Sequence, residues 1–419
     1  MVRQVIIILS AFIIVLSSCS TKKSSIVSET ISDMEEESTL QLPKNFVKLP
    51  FGEANNSFAF KLFDQINDNS KSDENIIISP LSVAFALSMT LNGAEGSTEQ
   101  AMLQTLELSG YTKAELNQAI ENLSSIIFDK DSGVDITLAN SVWSRSDISI
   151  NKEFISVLER YYKAESKQFK AGDKNTAKLV NSWIEDKTDG MIKDMLDRVD
   201  NDIIMMLVNA ICFKGMWTNP FSENATEDAP FYPTTDKQVT VKMMNLTKSF
   251  NYFDGEGYKM VELPYGDERF AIDIFLPDND SDIQGFLEEI NVGEITNATQ
   301  NMSRQSVKIS LPRFKYEYKK ELKEILSDMG MAIAFGDGAN FSGISQNAKL
   351  AIDNVTHKAF IETTEEGTKA AAATVVGVKL MSAKPIEPIN FVIDRPFFYI
   401  IRDTESNVAI FIGKIVNAE

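Results

Sequence analysis

From Glu365 to Ser382 the chain reads EEGTKAAAATVVGVKLMS, and between Gly367 and Val376 it holds no side chain large enough to anchor a core. The flanks are the opposite. Upstream, Lys349 to Ile361 carries Leu350, Ile352, Val355, Ala359 and Ile361, which reads as a strand leaving the core, and downstream Ile389 to Ile401 is rich in β-branched and aromatic residues. A segment so small, set between two such runs, can enter a sheet without clashing. Its local preference is divided: Thr364 followed by acids and alanines resembles a helix start. Thr374, Val375, Val376 and Val378 favour a strand, and Gly377 interrupts either.

The chain has 419 residues, enough for one large domain or two ordinary ones, with apolar content for a core. A net charge of −19 opposes binding to nucleic acid or an anionic membrane through bulk electrostatics. Only two cysteines occur, Cys19 and Cys212, which excludes a disulfide framework, and the apolar neighbours Ile211 and Phe213 make Cys212 a buried core thiol. Arg3 precedes an apolar run from Val5 to Leu16, too short to span a membrane comfortably and suited to a signal peptide over 1–18. It ends in Leu16-Ser17-Ser18-Cys19, which resembles a bacterial lipobox. That resemblance implies a lipid on Cys19, membrane attachment through the lipid alone, and a place in the bacterial cell envelope, at the outer membrane or cell surface. Residues 19–45 follow as a flexible tether, polar and containing Glu35-Glu36-Glu37. Residues 46–419 form the folded part, which lacks an internal repeat or Pro-rich linker.

Within it, Phe58, Leu62, Phe63 and Ile66 share a helical face, predicting a helix over Ala54 to Ile66, and Asn75 to Ser79 is a short strand. Pro80 opens a helix ending near Gly93, and a second begins after Gly96. Val134 to Ile150 reads as a strand, then helices from Asn151 to Tyr162 and from Asn175 to Thr188. IIMMLVNAICFKGMW, Ile203 to Trp217, is a strand buried on both faces. Strands recur at Thr240 to Phe253, Tyr258 to Pro264, Arg269 to Pro277 and Ser306 to Phe314, with short helices between Ile283 and Gln300 and a helix from Tyr318 to Met329.

Four strings, NIIISPLS with NGAEGST, NAICFKGMWTNPF, LPRFKYEYKKELKEILSDMGM and the EEGTKAAAAT segment, resemble the serpins, the serine protease inhibitor family. The resemblance covers Phe46 to Asn417. It implies an α+β fold with a large mixed main sheet, two smaller sheets, eight or nine helices and an exposed reactive-centre loop, in a monomer without cofactor or metal. It also implies irreversible, suicide-substrate inhibition of a serine or cysteine protease, whose acyl-enzyme is trapped when the hinge Glu365, Glu366, Gly367, Thr368, Ala370, Ala371, Ala372, Ala373 and Thr374 inserts as a new strand. The family's spacing counted from Glu365 puts the reactive bond at Met381-Ser382, suiting elastase-like or chymotrypsin-like targets. A longer segment up to Pro396 would shift the residue read to Leu380 or Lys379. Ser79, Ser82, Asn209, His357, Trp217 and Arg313 would lie where the sheet opens, with Arg313 paired to Glu365. A non-inhibitory serpin, acting as a binding or structural protein, is the alternative.

An enzyme would have to use the single histidine, His357, since two-histidine metal motifs, a G-x-S-x-G elbow and a phosphate-binding G-x-x-x-x-G-K-[ST] are missing from the sequence. A hydrolase built on Cys212 and His357 is the form that remains. Ser79 and Ser82 have an ordinary reading too, as caps of the helix that Pro80 opens.

Overall fold

A computed structural model describes residues 50–128, 133–278, 282–368 and 387–419. Two sheets carry the architecture. The six-stranded sheet runs β10 (Phe314–Glu321), β11 (Thr356–Thr363), β12 (Gly367–Thr368), β4 (Met205–Met216), β2 (Val134–Arg145), β3 (Glu165–Phe169), and is mixed because β3 pairs parallel to β2. The second, nine-stranded, runs β1 (Ile76–Ile78), β15 (Ala409–Ile415), β14 (Phe397–Asp403), β8 (Phe270–Pro277), β7 (Tyr258–Tyr265), β6 (Lys237–Asp254), β9 (Ser303–Pro312), β13 (Ile389–Val392), with β5 (Glu227–Thr234) also on β6. The two smaller sheets expected from the sequence are continuous here: β6 is long enough to pair β5, β7 and β9.

The main core fills the space between the sheets, as where Phe213 of β4 meets Tyr265, Phe270 and Phe411. α1 (Pro50–Asp68) packs Phe63 on Phe398, and α2 (Pro80–Leu91) contacts both β4 and β15. PLSVAFALSMTL carries no charge and is apolar on every side, as a helix enclosed by two sheets must be. α3 (Ser97–Thr105), α4 (Lys113–Ile127), α5 (Lys152–Tyr162), α6 (Thr176–Lys187), α7 (Ile283–Glu289), α8 (Val292–Asn301) and α9 (Lys323–Leu326) complete the α-helices among the described residues. α4 starts at a capping box in which Thr112 and Glu115 satisfy each other's backbone groups. A second core on the outer face of the six-stranded sheet joins Trp143, Trp183, Met191, Ile192 and Cys212.

Three readings of the sequence change. The helix expected from Tyr318 to Met329 is strand as far as Glu321, because KYEYKKE alternates and its backbone pairs with β11 throughout; its second half is helical, as α-helix over Lys323–Leu326 and π-helix over Ser327–Met331. The strand expected from Lys349 starts at Thr356. The single run from Ile389 to Ile401 is two strands, parted at Asp394-Arg395-Pro396.

Candidate functional site

β12 is only two residues long, and it is wedged between β11 and β4, antiparallel to both. Thr363 pairs Thr368, Gly215 pairs Thr368, and Met216 pairs Gly367. Among the described residues no ladder joins β4 directly to β11. Residues Thr364 to Gly367 make the turn into this wedge, with Thr364 N donating to Gly367 O at 2.9 Å, so the helix start that the local sequence allowed does not form at Thr364–Thr368. Gly367 adopts φ 144°, and a Cβ there would stand 2.1 Å from Gly215 O. Only glycine fits this approach.

The turn is gripped from three sides. Trp217 N donates to Glu366 O (3.0 Å), Trp217 Nε1 to Thr364 O (2.9 Å), and Phe221 N to Glu365 O (2.9 Å). The Trp217 ring stacks on Tyr265 at 4.4 Å, and the Tyr265 hydroxyl meets Thr368 Oγ1 at 3.1 Å, which fixes the Thr368 side chain toward the inter-sheet core. Glu365 is buried and accepts from Arg313 Nε (2.8 Å) and Nη2 and from Thr226 Oγ1 (2.5 Å). Burial raises its carboxyl pKa, the hydrogen bonds from Arg313 and Thr226 outweigh that, and the group sits below the usual carboxylate range. Arg313 is half exposed while Glu365 is not, so the ion pair is a buried acid held by a surface base. Thr226 and Tyr265 did not emerge from the sequence, where neither stands in a motif.

Further down the seam lies a polar cluster. Ser79 caps α2: its Oγ accepts from Ser82 N and donates to Ile410 O at 2.8 Å, while its backbone N donates to His357 Nε2 at 3.1 Å. Ser82 Oγ donates to Asn209 Oδ1, and Asn209 Nδ2 to Asn140 Oδ1 at 2.6 Å. His357 and Asn209 flank the seam, and among the described residues no hydrogen bond joins them directly. Desolvation lowers the His357 pKa to about 4. A cavity of about 810 Å³ continues below, between α2, the lower end of β4 and residues 349–357. Cys212 packs in the outer core and His357 bonds Ser79 on the inner side of the sheet, so the hydrolase pairing has its two groups on opposite faces.

Ala370, Ala371, Ala372, Ala373, Thr374, Met381 and Ser382 lie outside the described residues, as do Cys19, the leader and the tether.

A family model described as Serpin (serine protease inhibitor) matches residues 53–418. An uncharacterized serpin-like protein of Thermococcus kodakarensis is 33% identical over 371 residues, covering 88% of this chain and 86% of that protein. The leukocyte elastase inhibitor of Xenopus laevis is 35% identical over 369 residues, covering 85% of this chain and 96% of that one. Among solved structures, the thermophilic serpin tengpin in its native state matches with a TM-score of 0.80 at 29% identity, over 90% of this chain and 95% of that one.

Proposed function

We propose that this chain, which belongs to the serpin family, is a suicide-substrate inhibitor of serine proteases cleaved at Met381-Ser382. The observation that carries this reading is the two-residue β12, a strand begun at the top of a seam whose two walls have no ladder between them among the described residues. The protease serine would attack the Met381 carbonyl and release the amine of Ser382, leaving an ester. Before water hydrolyses that ester, the segment after Thr368 would extend β12 down the seam.

The register set by Thr363 and Gly215 says what it would meet, because each further residue moves one position down β11 and one down β4. Ala370 would fall between Ile361 and Phe213, Ala372 between Ala359 and Ile211, and Thr374 between His357 and Asn209. The core there is already filled by buried side chains, so only small inward residues fit. A hydroxyl arrives at the polar cluster, where an apolar group would leave polar atoms without a new partner. A strand of about a dozen residues, at about 1 kcal/mol net per hydrogen bond, supplies on the order of 10 kcal/mol for distorting the trapped protease.

Lipid attachment at Cys19 belongs to the same proposal, and would hold the inhibitor at the cell envelope. Mixing the protein with elastase-like, chymotrypsin-like and trypsin-like proteases, followed by denaturing electrophoresis and mass spectrometry, tests the inhibitory part. A covalent complex that has lost the peptide starting at Ser382 is expected. Turnover of the chain by every protease without any such complex would leave the non-inhibitory alternative.

A further inference from the structure

On the nine-stranded sheet, three strands place polar residues in one row. Asn251 of β6 pairs with Glu262 of β7, and Glu262 with Asp273 of β8. Glu262 shares its side of β7 with Tyr258, whose ring meets Phe286 of α7, whereas Tyr265 on the other side meets Trp217, the residue that follows β4. The row therefore faces the helices and is remote from the seam.

Arg402 of β14 crosses this row. Its Nε donates to Asp273 Oδ2 at 2.6 Å and its Nη2 to Glu262 Oε2 at 2.5 Å. The next residue, Asp403, accepts from Arg269 Nε at 3.2 Å and from Ser406 N at 2.9 Å. Glu262, Asp273, Arg402 and Asp403 are all more than nine-tenths buried. Asp403 pairs with Phe270 and lies on the other side of the sheet with its own guanidinium, Arg269, so the row sets two carboxylates, Glu262 and Asp273, against the one guanidinium of Arg402, and a low-dielectric site disfavours the uncompensated negative charge. Glu262 uses both oxygens, accepting from Asn251 Nδ2 at 2.6 Å as well, and Asp403 also uses both. Asp273 Oδ1 has no hydrogen-bond partner.

We propose that this cluster takes up one proton on Asp273 Oδ1 under mildly acid conditions, so that the sheet on which the hinge does not act is strengthened by acid. The other charges of the layer do not supply the missing cation. Glu53, Lys61, Asp64 and Asp68 of α1, Glu288 and Glu289 of α7 and Glu294 of α8 are exposed. Lys414, at the far end of β15, is buried without a hydrogen-bond partner among the described residues, and burial pushes its pKa down against the attraction of Glu74 and Asp73, which disfavours its charged form. Desolvation pushes Asp273 up to about 6 against the attraction of Arg402, which agrees with the charge count. A carboxyl whose folded pKa is raised binds its proton more tightly folded than unfolded. Stability from this group is therefore present below the ordinary carboxylate pKa and lost as pH rises through about 6.

The test is the melting temperature at a fixed scan rate from pH 7.5 to 5, for the parent, Asp273→Asn and Glu262→Gln. The gap between parent and Asp273→Asn should shift in the parent's favour by about 2 to 3 °C on acidification. Glu262→Gln, which leaves the Asp273 carboxylate alone with the Arg402 guanidinium, should remove the same slope. Parallel profiles for all three proteins would overturn the proposal, and if Asp273→Asn does not fold, the Glu262→Gln profile decides alone. Inhibition of protease need not be measured, so the outcome is independent of the proposed function.

Discussion

His357 is neutral in the fold because its Nε2 must accept the backbone proton of Ser79, a role that an imidazolium cannot fill, and because the ring is buried. Its pKa falls from 6.5 to about 4, by desolvation. With the folded value depressed, the stability it allows is complete above the unfolded pKa and is lost as pH falls from about 6.5 toward 4, by up to about 3 kcal/mol. His357→Gln keeps an acceptor without a titrating ring, so the variant should lose less of its melting temperature over that range than the parent does. Equal losses would remove His357 as the cause. Asp273 acts in the opposite direction over an overlapping range, which is why each residue is judged against its own variant. The polar character of this site was legible: a lone histidine beside a strand of apolar residues needs partners. The place of His357 close to Ser79 and across from Asn209 came only through the family resemblance, since nothing local points to a residue 278 positions away in sequence.

Among the elements, β12 is the smallest and the most constrained. Two residues of ladder cannot hold a strand unaided, so its position depends on Trp217, Tyr265 and the buried Glu365. Replacing Glu365 by Lys places a cation beside Arg313 in a site built for an acid, and the turn should detach. Native protein carrying Glu365→Lys is expected to form polymer on mild heating sooner than the parent, through seams left open to another chain's loop. Native electrophoresis after graded heating reads this, and equal polymer in both proteins would show that the pair does not restrain the hinge. Element types followed from periodicity wherever a segment was long and one-sided, as in α1 and α5. β10 was misread because Lys, Glu and Leu after Tyr318 are good helix formers, and only pairing with β11 makes its alternation the winning pattern.

For the molecule as a whole, the proposed inhibitory function requires a fold held short of its most stable pairing. Cutting within Val378 to Ala383 should then raise the melting temperature well beyond the roughly 2 °C that a 1 kcal/mol change produces in a domain of this size. Nicking an ordinary loop only adds freedom to the unfolded chain and leaves stability unchanged or lower. Limited digestion with a non-target protease, mass spectrometry of the cut and calorimetry of both forms distinguish the two, and a cut in this segment without stabilisation would favour the non-inhibitory alternative. By itself the sequence determined the long buried strand at Ile203 to Trp217 and the divided preference of the segment after Thr364, because patterning is a local property, while the class of fold and the acid-base pair Arg313 and Glu365 came from the resemblance of its motifs to those of the serpins. Tertiary structure alone decided that the six-stranded sheet begins a strand at Gly367 and Thr368, that Thr226 and Tyr265 hold it, and that two buried carboxylates share the Arg402 guanidinium. Each of those depends on register between strands far apart in the chain, and a strand's own residues specify which side chains are buried together without specifying whose backbone lies alongside.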